Sequence, residues 1–217
     1  MSNHSILRFL SLLLGCLASL AAADLPAAVD DPSRVRALVA GATLPAATVA
    51  TAEGEVPLNE AVGDGKVALV VYRGGWCPVC TRHFAALGSV ADELQEDGWR
   101  LVALSPDSRE SIAAWEEKHS EDAFTRLSDS DVDAIRALGL AFVVDAATRE
   151  TYKGYGIDLQ AASGHDHHTL PVPTVILVVD GTARFVHADA DYQRRLTPEV
   201  LRAAVAMVEK QSEAAKQ

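Results

Sequence analysis

Residues 66–98 constrain the fold most. "KVALVVYR" (66–73) is an almost continuous apolar run enriched in β-branched residues, which fits a central strand buried on both faces. Gly74 and Gly75 end it. In the following "WCPVC", Pro78 can occupy the first turn of a helix without losing a needed hydrogen bond. Cys80, Phe84, Leu87, Val90, Ala91 and Leu94 then recur at helical spacing until Gly98. Cys77 and Cys80 therefore sit at a strand-to-helix junction.

The downstream chain keeps this alternation. "WRLVALSPDS" reads as a second apolar strand, "SRESIAAWEEKHS" as a helix, "AFTRLSD" as a short strand, and "SDVDAIRALGL" as a helix capped by Ser130. "PTVILVVDGTARFVHAD" is two β-rich runs joined by Asp180-Gly181, a hairpin signal, and a last helix runs from Pro198 to about Lys210. Upstream, "DPSRVRALVAG" predicts a helix with Asp31 as N-cap and Pro32 at its first position, ending at Gly41. The pattern is that of an α/β protein: a mixed sheet with helices on both faces.

A chain of 217 residues suffices for one well-buried domain, so it need not be stapled to fold. Residues 1–23 carry one Arg, no acid, an apolar run from Phe9 to Ala18, and Ala21 and Ala23 before Asp24, which reads as a cleaved secretory signal peptide. The apolar run is shorter than the ~20 residues a spanning helix needs, so no membrane span is expected after cleavage. The expected location is outside the cytoplasm, periplasmic in type. Lipid anchoring at Cys16 in "LLLGC" is the alternative. Either route leaves Cys77 and Cys80 as the thiols of the mature chain, in a compartment where disulfides persist. Residues 24–40 form an N-terminal lead-in, 41–210 the main domain and 211–217 a C-terminal tail. The formal net charge of −11 argues against nucleic acid and anionic membrane surfaces as partners.

A thiol at the start of a helix faces unsatisfied N–H groups and the positive end of the helix dipole, both favouring the thiolate. Such motifs lower a thiol from ~8.5 to between ~3.5 and ~7. Cys80, nearly one turn further in, is placed to attack a mixed disulfide formed at Cys77. Three other readings compete. A zinc site needs further ligands, and the candidates His165, Asp166, His167 and His168 in "SGHDHHTL" match no closed four-ligand pattern, so neither metal nor cofactor is assigned. A structural disulfide would close too small a loop to stabilise much. Two inert core cysteines conflict with a first thiol at an exposed strand end. Among the remaining polar residues, the histidine cluster reads as a polar loop, His83 as solvent-facing, and Arg73 and Arg184 as surface residues.

"WCPVC" after a buried strand, with "VPT" before a later one, resembles the thioredoxin fold. "VVYRGGWCPVCTRHFAAL", "LVALSPDS", "LGLAFVVD", "YGIDL" and "DGTARFVHADADYQRR" resemble more closely the peroxiredoxin-like branch of the AhpC/TSA family, over roughly Gly41 to Met207. The resemblance implies a thioredoxin-like mixed sheet, Cys77 as reactive thiol, Cys80 as its partner, Trp76 and Pro78 as flanking residues, and Pro173 as a proline facing the thiols. Its position before a strand adds the expectation of a cis Val172–Pro173 bond. Peroxiredoxins usually carry a proline seven residues before, and a Thr or Ser three residues before, the peroxidatic cysteine; here those positions hold Val70 and Gly74. The distal Arg that helps to polarise peroxide has Arg73 and Arg184 as candidates.

Peroxide reduction needs the leaving hydroxide stabilised, whereas disulfide exchange needs only an accessible thiolate, a good leaving thiol and a docking surface. The local site therefore points to an exported thiol-disulfide oxidoreductase cycling between a Cys77–Cys80 disulfide and dithiol. The alternatives are a peroxidase for hydrogen peroxide or organic hydroperoxides using the same thiols, and a non-catalytic binding module on the same scaffold. The expected partners are protein or small-molecule disulfides or peroxides, and a redox partner protein.

Overall fold

The computed structural model describes residues 25–119 and 123–214; the expected signal peptide and the alternative anchor at Cys16 lie outside them. At the centre is β3 (Lys66–Val71), parallel to β4 (Trp99–Ser105) and antiparallel to β8 (Thr174–Val179). With β1 (Thr48–Ala50), β2 (Glu55–Pro57), β5 (Thr125–Ser128) and β9 (Thr182–Ala188) they form a seven-stranded mixed sheet ordered β2-β1-β5-β4-β3-β8-β9.

Alternation along β3 divides the core between the faces of the sheet. Val67, Leu69 and Val71 pack with Leu58 and Val62 of α1 (Leu58–Val62) and with Ile135 of α5 (Asp133–Ala137). Ala68 and Val70 pack in a second apolar cluster with α2 (Pro78–Gly88), α3 (Ala91–Glu96) and α8 (Pro198–Ala214). Full burial of a Val or Leu side chain contributes ~1.5–3 kcal/mol, so the apolar run at 66–73 stabilises both layers at once. The crossover from β4 to β5 carries α4 (Arg109–Glu116).

Several boundaries differ from the sequence expectation. The lead-in holds only a single 3-10 turn, Pro32–Arg34, although Asp31 caps it by accepting from the Ser33 N–H. Beyond it the backbone donors go to tertiary partners: Arg36 N donates to Gly139 O and Leu38 N to Leu138 O. Gly139 permits that approach, since a Cβ there would fall on the Arg36 carbonyl. The helix expected to continue to Gly98 breaks at Ser89 and Val90, where the Ser89 hydroxyl donates to Ala86 O and competes with the helical ladder. Helix α5 is capped by Asp129, not Ser130: its carboxylate accepts from Ala134 N and Ile135 N, after Val132 has taken a left-handed conformation. The Asp180-Gly181 hairpin forms as expected, with φ of 49° and 70° as a two-residue primed turn requires.

Between α5 and β8 the chain makes an excursion that periodicity does not reveal. It comprises β6 (Ala141–Val143), α6 (Ala146–Gly154), α7 (Leu159–Ser163) and β7 (Thr169–Pro171), with β6 and β7 paired as a separate two-stranded sheet. It delivers Tyr152 and Pro171 to the end of β3 beside Arg73.

Candidate active site

The break after β3 shapes the site. Gly74 has φ +146°, and a Cβ there would fall on the Trp76 indole nitrogen and 2.6 Å from Asp107 Oδ1. Gly75 is pressed against Trp115, whose Cδ1 would lie 2.6 Å from an added Cβ, and its N–H donates to Asp107 Oδ2 at 2.6 Å. Neither position has room for a side chain. Cys77 is the N-cap residue of α2 and Pro78 its first residue; Cys77 N donates to Gly74 O, while its carbonyl accepts from Cys80 N and Thr81 N.

Cys77 and Cys80 are both free thiols and each is only 1% exposed, as members of the apolar cluster shared by α2 and α8. The expected exposed thiol at a strand end is therefore corrected: it belongs to an apolar cluster that includes Leu196 and has the half-buried Trp76 and Val79 packed against it. A hydrogen bond from the Cys80 side chain is the largest influence drawing Cys77 down to about 6, aided by the Cys80 backbone N–H and by the charges of Arg73 and Arg195. The same Cys77 neighbour, followed by burial, pushes Cys80 well above the ordinary thiol range. One sulfur holds the negative charge and the other holds the proton.

Arg73 is not a surface residue. It is 4% exposed, and its guanidinium lies 4.4 Å from the ring centroid of Tyr192, 5.2 Å from that of Trp76 and 5.4 Å from that of Tyr152, donating to the Tyr152 hydroxyl. Arg73 forms no ion pair with a carboxylate among the described residues, and its Nε is buried without a partner. A buried cation without a carboxylate is costly unless another anion offsets it, and the Cys77 thiolate is the anion in its field. Arg184 is exposed on β9 and lines a cavity with Lys66 and Trp99 at the far end of the sheet, too remote to take part.

Asp107, 3% exposed, is pushed up to about 7 chiefly by burial, against the opposing N–H of Gly75. His83 is corrected from solvent-facing to buried; its Nε2 lies 3.0 Å from Leu196 O, and burial draws it down to about 4. Pro173 is buried and lines a cavity of about 220 Å3 with Arg73, Tyr152 and Tyr192. The Val172–Pro173 bond is trans, like every peptide bond among the described residues. The preceding segment runs extended, with Val172 N donating to Leu140 O, and no tight turn offsets the ~0.5–1 kcal/mol preference of an X–Pro bond for trans. Pro78 is exposed at the helix start.

The histidine loop stands apart. His167 Nε2 lies 2.8 Å from Ser130 O, His167 Nδ1 accepts from Thr169 N, and His165 lies 3.3 Å from Asp131, so these rings are held by local partners. Sequence reasoning missed Arg195, whose Nη2 lies 3.7 Å from Cys80 Sγ. No local pattern links these two residues, which stand 115 positions apart.

A model of the AhpC/TSA family matches residues 40–181. The 1-Cys peroxiredoxin PER1 of Hordeum vulgare is 28% identical over 109 residues, covering 48% of this chain and 50% of that protein. The 1-Cys peroxiredoxin B of Oryza sativa subsp. japonica is 28% identical over 123 residues, 54% of each. The chain thus spans about half the length of the curated relatives it matches. Reduced Prx3 from Vibrio vulnificus aligns with a TM-score of 0.64 at 21% identity, over 78% of this chain and 99% of that one. Peroxiredoxin 5 from Alvinella pompejana gives 0.60 at 18% identity, over 78% and 99%. The expected thioredoxin-like mixed sheet with helices on both faces is the fold these structures share with the chain.

Proposed function

The chain belongs to the AhpC/TSA family, and on that premise we propose that it is a thiol oxidoreductase that reduces hydroperoxides at Cys77 and closes a Cys77–Cys80 disulfide. The observation that carries this reading is the 1% exposure of Cys77, a thiol nevertheless drawn down to about 6. In the reduced form a hydroperoxide is small enough to reach a sulfur so covered, whereas a protein disulfide would need the cover over it to open first.

In the first step the Cys77 thiolate attacks the terminal oxygen of the hydroperoxide. The S–O bond forms, the O–O bond breaks, and the departing oxygen takes a proton to leave as water or an alcohol. Arg73 is a buried cation acting on Cys77, and its charge can follow the negative charge from sulfur to the departing oxygen, the role a donor array serves in a preorganised site. In the second step Cys80 sulfur attacks the Cys77 sulfenic acid, forming the S–S bond and releasing water. A dithiol partner protein then returns two electrons. An exported location belongs to the same proposal and rests on the composition of residues 1–23 alone.

A second reading, thiol-disulfide exchange, draws support from Gly74. That backbone admits no Thr or Ser hydroxyl, so one donor usual in peroxiredoxins is missing. The two separate in one comparison: reduced protein is mixed with hydrogen peroxide, and in parallel with an insulin-disulfide assay. The peroxidase reading expects loss of both thiols per peroxide, no reaction in Cys77→Ser, and a dimedone-trappable sulfenic acid in Cys80→Ser. Disulfide turnover without peroxide turnover would overturn it, and inertness in both assays would leave the binding module.

A further inference from the structure

The disulfide-closing step poses a problem that the rest of the chain must solve. Attack needs a thiolate, yet Cys80 is 1% exposed and is pushed well above the ordinary thiol range by Cys77 and by burial. Among the described residues, Arg195 is the one charged side chain in hydrogen-bonding contact with either sulfur, its Nη2 3.7 Å from Cys80 Sγ.

We propose that Arg195 is a catalytic residue of disulfide closure, holding the negative charge that Cys80 develops as it attacks Cys77. The inference rests on the two-cysteine cycle proposed above.

The guanidinium is presented by a built support. Its Nε donates to Tyr192 O at 2.7 Å, which fixes its direction. The next residue, Leu196, is 2% exposed in the apolar cluster that holds both cysteines. The Leu196 carbonyl lies 3.0 Å from Nε2 of His83, which stands three residues beyond Cys80 on α2. The support of Arg195 is therefore tied to the helix that carries its target.

The charge balance supplies the timing. In the reduced site the Cys77 thiolate occupies the field of Arg73 and Arg195, and its charge opposes a second one on Cys80. Oxidation of Cys77 to sulfenic acid removes that charge. The cations remain, and the nearer of them to Cys80 is in contact with its sulfur. Cys80 then yields its proton, its sulfur bonds to that of Cys77, the S–O bond breaks, and the departing hydroxide combines with a proton to leave as water. The other titratable groups around the pair are Tyr72 in the same cluster, its phenol pushed up by burial, Asp107 beside Gly75, and His83 with His187 near the Arg195 loop.

The test follows closure in the full chain bearing Arg195→Met or Arg195→Lys. Reduced protein receives one equivalent of hydrogen peroxide, and acid-quenched samples are resolved by mass spectrometry into thiol, dimedone-trapped sulfenic acid and disulfide. The Met variant is expected to accumulate the Cys77 sulfenic acid and to close about tenfold more slowly, or slower still, as loss of a charge-assisted hydrogen bond predicts. Its first step should slow less than its closure. The Lys variant should recover most of the closing rate. Closure in the Met variant within about twofold of the parent, or equal loss in the Met and Lys variants, would overturn the assignment. The same step can start from the mixed disulfide of Cys77 with 5-thio-2-nitrobenzoate, where closure releases the second chromophore. A parent protein inert to peroxide whose second release still slows in the Met variant would defeat the peroxidase reading and leave the role of Arg195 standing.

Discussion

At the scale of single residues, Gly74 and Arg73 trade places with what the family pattern suggests. A hydroxyl-bearing side chain at position 74 meets both a left-handed backbone and the Trp76 indole. Gly74→Ser should therefore lower stability by at least ~1–3 kcal/mol in chemical denaturation, and should not speed peroxide turnover. Arg73 shares a buried charge pair with Cys77, so Arg73→Met removes a cation that favours the thiolate. The expected result is a rise of Cys77 above about 6, read as slower iodoacetamide alkylation at about pH 5, below that value, by about tenfold for each unit of rise. Of these residues, Cys77 and Cys80 were legible in sequence from spacing and placement after a glycine break. Arg73 was legible as a candidate, but not its burial, which depends on Tyr152 and Tyr192 arriving from distant segments. Arg195 was illegible because its place beside Cys80 comes from one long-range contact.

At the scale of elements, legibility followed how strongly local chemistry outweighed tertiary demand. The β3 run, the start of the cysteine helix and the Asp180-Gly181 turn each carry several local signals that agree, and each formed where expected, although the helix ends at Gly88 and not at Gly98. The 31–41 segment had good helix signals, but its amides found partners at Gly139 and Leu138 instead. The excursion from β6 to β7 was missed because its strands are three residues each, too short for a period to declare itself. The cap of α5 gives a test of how these elements are held. Asp129→Ala strips the acceptor from two N–H groups that stay buried, so it should cost ~1–3 kcal/mol in denaturant unfolding. Asp129→Asn, which keeps one acceptor oxygen, should cost less.

For the molecule as a whole, buried titratable groups set the response to pH. Burial raises Asp107 and Asp129 from 3.8 to about 7, so the folded state binds protons that the unfolded chain has released. Their contribution is fully present below pH 3.8 and is lost as pH rises through about 7. His83, drawn down from 6.5 to about 4 by burial, works oppositely and loses its contribution as pH falls through about 4. Cys77, lowered from 9.0 to about 6, likewise loses its contribution as pH falls through about 6. Burial lowers His167 as well, so between about pH 5 and 6 two acids that lose stability as pH rises stand against two histidines that gain it. An Asp107→Asn, Asp129→Asn double variant should therefore gain thermal stability relative to the parent as pH rises from about 5 to 6, read in a series of melting curves. The shared apolar cluster also fixes an order of events during synthesis. Leu196, Leu201, Ala204, Val205 and Val208 complete the apolar cluster in which Cys77 and Cys80 are buried, and Arg195 follows Cys80 by 115 residues. At ~5–20 residues per second, the nascent thiols stay bare for on the order of ten seconds before their cover is even made. The newborn chain thus offers its thiols before the cluster that buries them exists, and its first oxidation need not come from the reagent that oxidises the finished molecule.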